Sequence, residues 1–475
     1  MRDQQEPSSS ESIKGSSFWS DIRSAVAGTD MDFTEGPLGR AILILSIPMV
    51  LEMSMESLFG IVDVFFVSRL GADAVATVGL TEAMLTIVFS VAIGLSMATT
   101  AMVARRYGEK HLAAASKAAV QSIYLGVVIS VPVMLAGLFM APTLLRWLGA
   151  SDGIIATGSG YGIWMLGGNL TIVLLFLNNA IFRGAGDAVS AMRALWLANI
   201  INILLDPCLL FGLGPFPELG LTGAAVATNI GRGFGVVYQF YLLFNGKGRI
   251  ALRWKEFLPD WSIMSSLIRV SIGGIAQFVI AHASWLGLVR LISLFGSSAL
   301  AGYTVALRII IVAILPSWGM SGAAATLVGQ SLGAGKPDRA EASVWLTARW
   351  NMLLLLAVAV VFIVFADPMI RFFSDDPEVI QFGIACLTLV SIGYPAYAWG
   401  MVLVQAFNGA GDTRTPTIIN FYCYWFFQIP LAYMLAVPLG FGANGVFLAI
   451  TIAESIISVV GVLVFRRGRW KEQRI

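Results

Sequence analysis

The chain repeats its own motifs after a constant interval of 225 residues. No net insertion separates the first repeated position from the last, so the two halves are copies of one folding unit. The repeated positions are Gly71 and Gly296, Gly94 and Gly319, Gly108 and Gly333, and the segments FRGAGD (182–187) and FNGAGD (407–412). A duplication of this kind predicts a molecule built twice around one axis, as in many membrane transporters.

The amino-acid composition places both halves in a lipid bilayer. Of the 475 residues, 57% are hydrophobic and only 12% are charged, whereas a soluble domain carries about 25% charged residues. The formal net charge of +2 gives no indication of a nucleic-acid partner. Three widely spaced cysteines and two histidines are too few for a disulfide framework or a histidine-based metal centre, so we expect no metal site and no cofactor.

Twelve apolar segments are long enough to cross a membrane, since a spanning helix needs about 20 apolar residues. The repeat interval equals six spans, so we predict an all-α integral membrane protein with twelve transmembrane helices in two pseudo-symmetric six-helix bundles of the same orientation. The predicted spans cover residues 41–67, 74–104, 118–140, 158–182, 191–213, 222–246, 264–294, 298–330, 344–365, 379–408, 417–437 and 442–465.

Basic residues predict the orientation of these spans, because cytoplasmic loops are enriched in Lys and Arg. The loops after spans 2, 4, 6 and 8 and the segment after span 12 are basic, whereas the opposite loops carry little positive charge. We therefore expect a multi-pass protein of the cell (inner or plasma) membrane with both termini in the cytoplasm. The predicted parts are a polar, disordered tail over 1–36, an N-terminal bundle over 37–246, a basic linker over 247–263, a C-terminal bundle over 264–465 and a basic tail over 466–475.

Three acidic residues lie within the first span, where an ionised carboxylate costs about 2.5–3.5 kcal/mol. Glu52, Glu56 and Asp63 are spaced by 4 and 7 residues and therefore share one face of the helix. We expect this face to line a wet interior. The alternative for Asp63 is an interfacial residue that pairs with Arg69. Glu52 and Glu56 are secondary candidates for the substrate or proton path, and the alternative is that they are hydrogen-bonded structural acids.

The fifth span carries another intramembrane acid, Asp206, which precedes Pro207 and follows Asn202 by four residues. Proline removes a backbone donor and bends a helix, and transporters often build cation sites beside such interruptions. Carboxylate and amide oxygens suit a hard cation, and neighbouring carboxylates also suit a shared proton. The alternative is that Asp206 only hydrogen-bonds within its bundle.

Span 1 has its own proline, Pro48, fifteen residues before Asp63, which makes this span a candidate moving part. Glu82 in span 2 is a further secondary candidate for the substrate or proton path. Glu454 in span 12 and His282 in span 7 are lesser candidates, because an isolated titratable residue in a span is often a hydrogen-bonded core residue.

Taken in order, these motifs resemble the multidrug and toxic compound extrusion (MATE) family of the MOP superfamily, in its DinF-like bacterial branch. The resemblance covers about residues 37–465. It is carried by span 1 (IPMVLEMSMESLFGIVDVFFVSRLG, 47–71), NILLDP (202–207), LTGAAVAT (221–228) and the two GAGD segments.

The resemblance implies two bundles that form a V around a cavity open alternately to the two membrane faces. It implies export of organic cations or amphipathic compounds, driven by inward flow of H⁺ or Na⁺. The implied cation site consists of Asp63, Asn202, Asp206 and Thr228, with Thr222 as a competitor for the last position.

The chain departs from the sodium-coupled members of another branch, which carry acidic residues in the C-terminal bundle. Those positions align with Ala281 and Tyr397 here. We therefore expect coupling through the N-terminal bundle, and the missing acids favour H⁺ over Na⁺.

The prediction from sequence is a secondary active exporter, most simply a monomer, and not an enzyme. The chain shows no catalytic cluster, metal-ligand spacing or phosphate-binding loop. The main alternative is a lipid or polysaccharide flippase of the same superfamily, whose cavity should be lined by Arg and Lys rather than by acids. A major-facilitator transporter or a passive channel fits the motifs less well.

Overall fold

A computed structural model describes residues 18–29, 31–246 and 248–475, and within these ranges the chain is helical without β-strands. The first half contains α1 (Phe18–Ala27), α2 (Leu38–Ser68), α3 (Ala72–Gly108), α4 (Leu112–Trp147), α5 (Asp152–Gly167), α6 (Asn169–Gly184), α7 (Ala188–Phe211) and α8 (Leu221–Asn245). The second half contains α9 (Trp261–Ile292), α10 (Ser297–Gly333), α11 (Pro337–Val364), α12 (Ala366–Arg371), α13 (Pro377–Ile392), α14 (Tyr394–Gly409), α15 (Arg414–Phe421), α16 (Ile429–Ala436) and α17 (Ala443–Phe465).

The helices reproduce the twelve predicted spans, three of them as composite segments. Span 4 consists of α5 and α6, span 10 of α13 and α14, and span 11 of α15, a π-helical turn (Tyr422–Gln428) and α16. Ten segments in the described part are long and apolar enough to cross a bilayer, and the α13–α14 pair, bent by 58°, makes an eleventh. The twelfth predicted span, α8, is 25 residues long and less apolar, since it carries Asn229 and Arg232.

Four helices form the seam between the two bundles: α2 packs on α10, and α3 packs on both α9 and α10. Two of the repeated glycine pairs, Gly94 with Gly319 and Gly108 with Gly333, lie in this seam. A Cβ on Gly108 would lie 2.1 Å from the carbonyl oxygen of Gln330, and one on Gly333 would lie 2.1 Å from that of Arg105. The glycines therefore recur because each half presents the same close backbone contact to the other.

The seam is tight at one end only. Gly94 and Gly319 are in backbone contact with α9 and α2, respectively, and Gly108 and Gly333 close the same end. Toward the opposite end of α2 and α3, Gly60 and Gly79 have no other side chain or backbone within 4 Å of a Cβ position. The bundles thus meet where α3 and α10 end and separate where these helices begin.

Each GAGD segment forms the same turn. Gly186 and Gly411 have φ of 82° and 85°, a backbone conformation that favours glycine. Asp187 accepts a hydrogen bond from the backbone N–H of Ser190 at 3.1 Å. Asp412 accepts one from the N–H of Thr415 at the same distance. Each segment therefore ends one helix in a tight turn and caps the start of the next.

The N-terminal segment differs from the disordered tail predicted over residues 1–36, of which 1–17 lie outside the described residues. Residues 18–27 form α1, and residues 31–36, here called the N-terminal arm, pack against both halves. Arg249 of the linker donates to the carbonyl of Met31 at 2.9 Å. From the other half, Lys336 donates to the carbonyl of Thr34 at 3.0 Å and Arg339 to that of Phe33 at 3.0 Å. Hydrogen bonds to the arm's backbone and the burial of Phe33 hold this segment against both halves.

The linker between the bundles is docked on α4. Tyr124 donates to the carbonyl of Phe257 at 2.8 Å, and Gln121 donates to that of Leu258 at 3.1 Å. Asp260 caps α9 and accepts a hydrogen bond from Lys117 at 2.6 Å. The ammonium of Lys117 lowers the pKa of the Asp260 carboxyl.

Candidate functional site

The first element of the candidate site is a pair of carboxyl groups inside the N-terminal bundle. Asp63 on α2 and Asp206 on α7 lie within hydrogen-bonding distance of each other. Asp206 is 1% exposed, and neither of its carboxyl oxygens accepts a hydrogen bond from a donor in the described part of the chain. The structure thus places the two acidic side chains in contact, and the buried Asp206 carboxyl has no hydrogen-bond donor among the described residues.

Asn202 and Thr228 lie directly beside this pair. Asn202 stands one turn before Asp206 on α7, and its Nδ2 donates to Oγ1 of Thr228 on α8 at 3.0 Å. Its Oδ1 is buried and has no donor among the described residues. The competitor Thr222 packs elsewhere, with its Oγ1 2.4 Å from a Cβ position on Gly160. The structure therefore brings together all four residues of the predicted cation site.

Further charged and polar groups surround the pair. Arg232 on α8 and Tyr161 on α5 are close enough to interact electrostatically with Asp63, and Tyr161 is 4% exposed. Glu82 on α3 is close enough to interact electrostatically with Asp63 and with Arg308 of the other bundle. Sequence reasoning missed Tyr161, because a tyrosine in an apolar span carries no signal of its partners.

The alternative pairing of Asp63 with Arg69 does not occur in the structure. The Arg69 guanidinium lies 4.4 Å above the ring of Phe65 instead. Pro48 and Pro207 both lie within continuous helices, and their effect on helix bending stays a prediction. The 58° bend is at Gly393, between α13 and α14, and Pro395 stands in the first turn of α14. The sequence analysis did not single out this pair of helix-breaking residues.

The other two acids of α2 are hydrogen-bonded to neighbouring helices. Glu52 is fully buried and pairs with Arg183 of the first GAGD segment. It also accepts from Nδ2 of Asn179 at 2.9 Å. Glu56 accepts from Nδ2 of Asn199 on α7 at 3.1 Å. These contacts tie α2 to α6 and α7 through charged hydrogen bonds.

A cavity of about 200 Å³ lies at the seam, next to these glutamates. Both bundles line it, with Glu52, Glu56 and Arg232 from the first and Trp318 and Gln405 from the second. Much of the remaining wall is apolar and includes three methionines, which adapt readily to ligands of different shape. The acidic face of α2 therefore borders a mixed polar and apolar space shared by both halves.

A second cavity, of about 400 Å³, lies inside the C-terminal bundle. Ala281 and Tyr397, the two positions at which acids are absent, are part of its wall. Glu454 on α17 nevertheless brings a carboxylate into this cavity, and His282 lines it as well. Within the described residues, no cluster of three or more His, Cys, Asp or Glu side chains is positioned to hold a metal ion.

The architecture has counterparts among known proteins. The MatE family model matches residues 48–208 and 275–434, one stretch in each half. A probable multidrug resistance protein NorM of Thermotoga maritima is 27% identical over 433 residues, which cover 91% of this chain and 93% of that protein. A FAD transporter of Shewanella oneidensis is 25% identical over 434 residues, which cover 89% and 93% of the two chains.

The fold agrees with these sequence matches. A solved structure described as the outward-facing conformation of a multidrug resistance MATE family transporter of the MOP superfamily superposes with a TM-score of 0.87. It is 26% identical, and the match covers 93% of this chain and 98% of that one. The two-stretch family match, the coverage by multidrug transporters and the shared fold lead to one conclusion: this chain is a multi-pass membrane transporter of the MATE family.

Proposed function

We propose that this transporter exports organic cations or amphipathic compounds by alternating access, in exchange for H⁺ or Na⁺ that enters through the N-terminal bundle. The observation that carries the proposal is the contact between Asp63 and Asp206. Two ionised carboxylates in contact within a low-dielectric interior repel each other strongly, so the pair favours binding of a proton or a cation. Occupancy of this site is therefore sensitive to the ion gradient.

The ion site is connected to the seam through one helix. Asp63 and Met49 both belong to α2, fourteen residues apart, which corresponds to about 21 Å along a helix. At Met49 the backbone of α2 touches α10, since a Cβ on Gly319 would lie 2.4 Å from the Met49 carbonyl oxygen. A change in how α2 packs around Asp63 would thus reach the contact that holds the bundles together.

The charges around the pair favour H⁺ over Na⁺ as the coupling ion. Arg232 already brings one positive charge close to Asp63. Two carboxylates and one guanidinium together carry one net negative charge, which a single proton neutralises. A sodium ion would need oxygen ligands on several sides and would be repelled by the same arginine.

The substrate class follows from the seam cavity and the relatives. The cavity carries the Glu52–Arg183 ion pair and Glu56 with Arg232 beside methionine and aromatic side chains, which suits amphipathic compounds that combine a charged group with an apolar body. The similarity to a probable multidrug resistance protein NorM of Thermotoga maritima supports drugs as substrates. The FAD transporter of Shewanella oneidensis shows that an anionic substrate is the alternative to test.

The orientation and assembly of the transporter belong to the same proposal. The closed end of the seam carries the basic loops, so we place it at the cytoplasm of the inner membrane, with both termini on that side. The structure then corresponds to an outward-facing state. We propose that the transporter acts as a monomer, since each chain contains both bundles and both cavities.

Uptake of a fluorescent cationic dye into everted vesicles tests the function. A pH gradient and a Na⁺ gradient are imposed in turn on wild type, Asp63→Asn and the control Asp152→Asn, whose carboxylate is fully exposed. We expect the pH gradient to drive uptake in wild type and the control, and Asp63→Asn to lose it. Uptake of FAD or a fluorescent lipid, without uptake of any cationic dye, would overturn the proposal.

A further inference from the structure

The cavity inside the C-terminal bundle has the composition of a ligand site. Its volume of about 400 Å³ lies within the range of small-molecule pockets, about 300–1,000 Å³, in which apolar walls surround a few polar groups. The wall includes five aromatic side chains, from Trp285, Tyr303, Tyr394, Tyr397 and Tyr424. Trp285 and Tyr303 are held in place by a hydrogen bond of 3.0 Å between Nε1 of the tryptophan and the tyrosine hydroxyl.

Glu454 is the one carboxylate among the described residues that line this cavity. It stands at the centre of the 23-residue helix α17. The hydroxyl of Tyr424 donates to its Oε1 at 3.1 Å, and no Lys or Arg in the described part of the chain forms an ion pair with it. An acid at the middle of a membrane span is costly and normally faces a partner or a ligand.

The helix that packs beside Glu454 departs from regular α-helical geometry, whereas its counterpart in the first half does not. Residues Tyr422–Gln428 form a π-helical turn, and such turns occur often at functional sites. The turn directs Tyr424 and Gln428 to the cavity wall. The corresponding residues of the first half, 197–203, lie within the regular helix α7.

The position that corresponds to Glu454 in the first half is filled differently. Asn229 stands there, and its Nδ2 donates to the carbonyl of Trp164 at 2.9 Å. A Cβ on Gly168 would lie 1.8 Å from its Oδ1, so the Asn229 side chain packs directly against the junction between α5 and α6. The two halves therefore share a fold, but only the second keeps an open, acidic space at this position.

We infer that the C-terminal cavity binds a monovalent organic cation, such as a quaternary ammonium compound, with Glu454 as its counter-ion. Aromatic faces attract such cations through the ring quadrupole. The carboxylate supplies the charge that the aromatic wall lacks. This inference rests on the proposed export of organic cations and adds a second place where that substrate class binds.

Equilibrium binding to the purified transporter in lipid nanodiscs tests this site. The probes are benzyltrimethylammonium and its uncharged carbon isostere neopentylbenzene, which differ in charge but hardly in shape. We expect Glu454→Gln to weaken binding of the cation at least tenfold and to leave binding of the isostere unchanged. The control Glu378→Gln removes an exposed acid of the same bundle and should change neither.

A second variant keeps the test informative if Glu454→Gln fails to fold. Ala281→Phe fills the cavity without removing a charge and should weaken binding of both probes. Equal affinity of wild type and Glu454→Gln for benzyltrimethylammonium, or unchanged binding of both probes to Ala281→Phe, would overturn the inference. Binding needs no gradient, so this result is independent of the vesicle experiment, whose failure would count against the export function instead.

Discussion

The two bundles hold their first helix in the same place but with different chemistry. In the N-terminal bundle Glu52 forms a buried ion pair with Arg183. The residues 225 positions later are Gln277 and Asn408, and they exchange hydrogen bonds of 3.0 and 3.3 Å through their amide groups. The contact between α2 and α6 in the first half therefore corresponds to the contact between α9 and α14 in the second. Only the contact of the first half is charged. The N-terminal bundle therefore combines an ionic contact with a pair of carboxyl groups, whereas the C-terminal bundle has a neutral contact and an aromatic cavity.

Breaking the ion pair should have the largest effect. Glu52→Gln leaves the half-buried Arg183 guanidinium without its carboxylate, and the loss approaches the cost of breaking a fully buried pair, about 3–5 kcal/mol. Arg183→Asn in the same chain converts the pair into the amide pair of the other half, and we expect it to recover most of the loss. Thermal unfolding of the single and double variants in detergent measures both steps. A double variant as unstable as the sum of the two single variants would show that the pairs are not equivalent.

The seam glycines should respond alike in the two halves. Gly108→Ala and Gly333→Ala each place a methyl group 2.1 Å from a carbonyl oxygen of the other bundle. Overpacking of this kind costs about 1–3 kcal/mol, and the symmetry predicts equal losses in thermal stability. Gly79→Ala, in the open part of α3, is the control and should be neutral. A large loss in only one of the two seam variants would contradict the symmetric closure of this end.

The two capping aspartates allow a smaller test of the same symmetry. Asp187→Ala and Asp412→Ala each remove a side chain that accepts from a backbone N–H at a helix start. Loss of such a cap costs about 1–2 kcal/mol, and thermal unfolding should show similar decreases. Asp187→Asn and Asp412→Asn keep an acceptor and should retain most of the stability. Decreases of very different size would indicate that one turn also carries a second role.

The smallest expected effect concerns a contact that only one half makes. Thr326 donates to the carbonyl of Arg183 across the seam at 3.0 Å, whereas its counterpart in the first half is Ala101. Thr326→Ala should loosen the closed end by about 1 kcal/mol. A cysteine placed at Ala325 should then react about fivefold faster with an impermeant thiol reagent added at that end. Thr326→Ser keeps the hydroxyl and should react as wild type; a faster reaction there would assign the effect to packing.

The sequence was sufficient for the helices and for the identity of the paired acids. Long apolar segments predicted all twelve spans. Because an ionised carboxylate within a bilayer is costly, the positions of Asp63 and Asp206 inside predicted spans identified them as candidate site residues. Hydropathy does not determine how each helix is rotated about its axis, so it could not place Tyr161 beside Asp63 or Arg183 against Glu52. The surroundings of Glu454 could not be predicted either, because they depend on a π-helical turn that no residue pattern predicts.

The N-terminal arm has a consequence for the order of synthesis. The arm leaves the ribosome before any span, but the side chains that bind its carbonyls, Arg249, Lys336 and Arg339, follow hundreds of residues later. Chains fold progressively from the N-terminus as they are made, so the arm must wait until both halves are present and joined at the closed end. Protection of the arm from a protease during synthesis would therefore report that the two bundles have assembled.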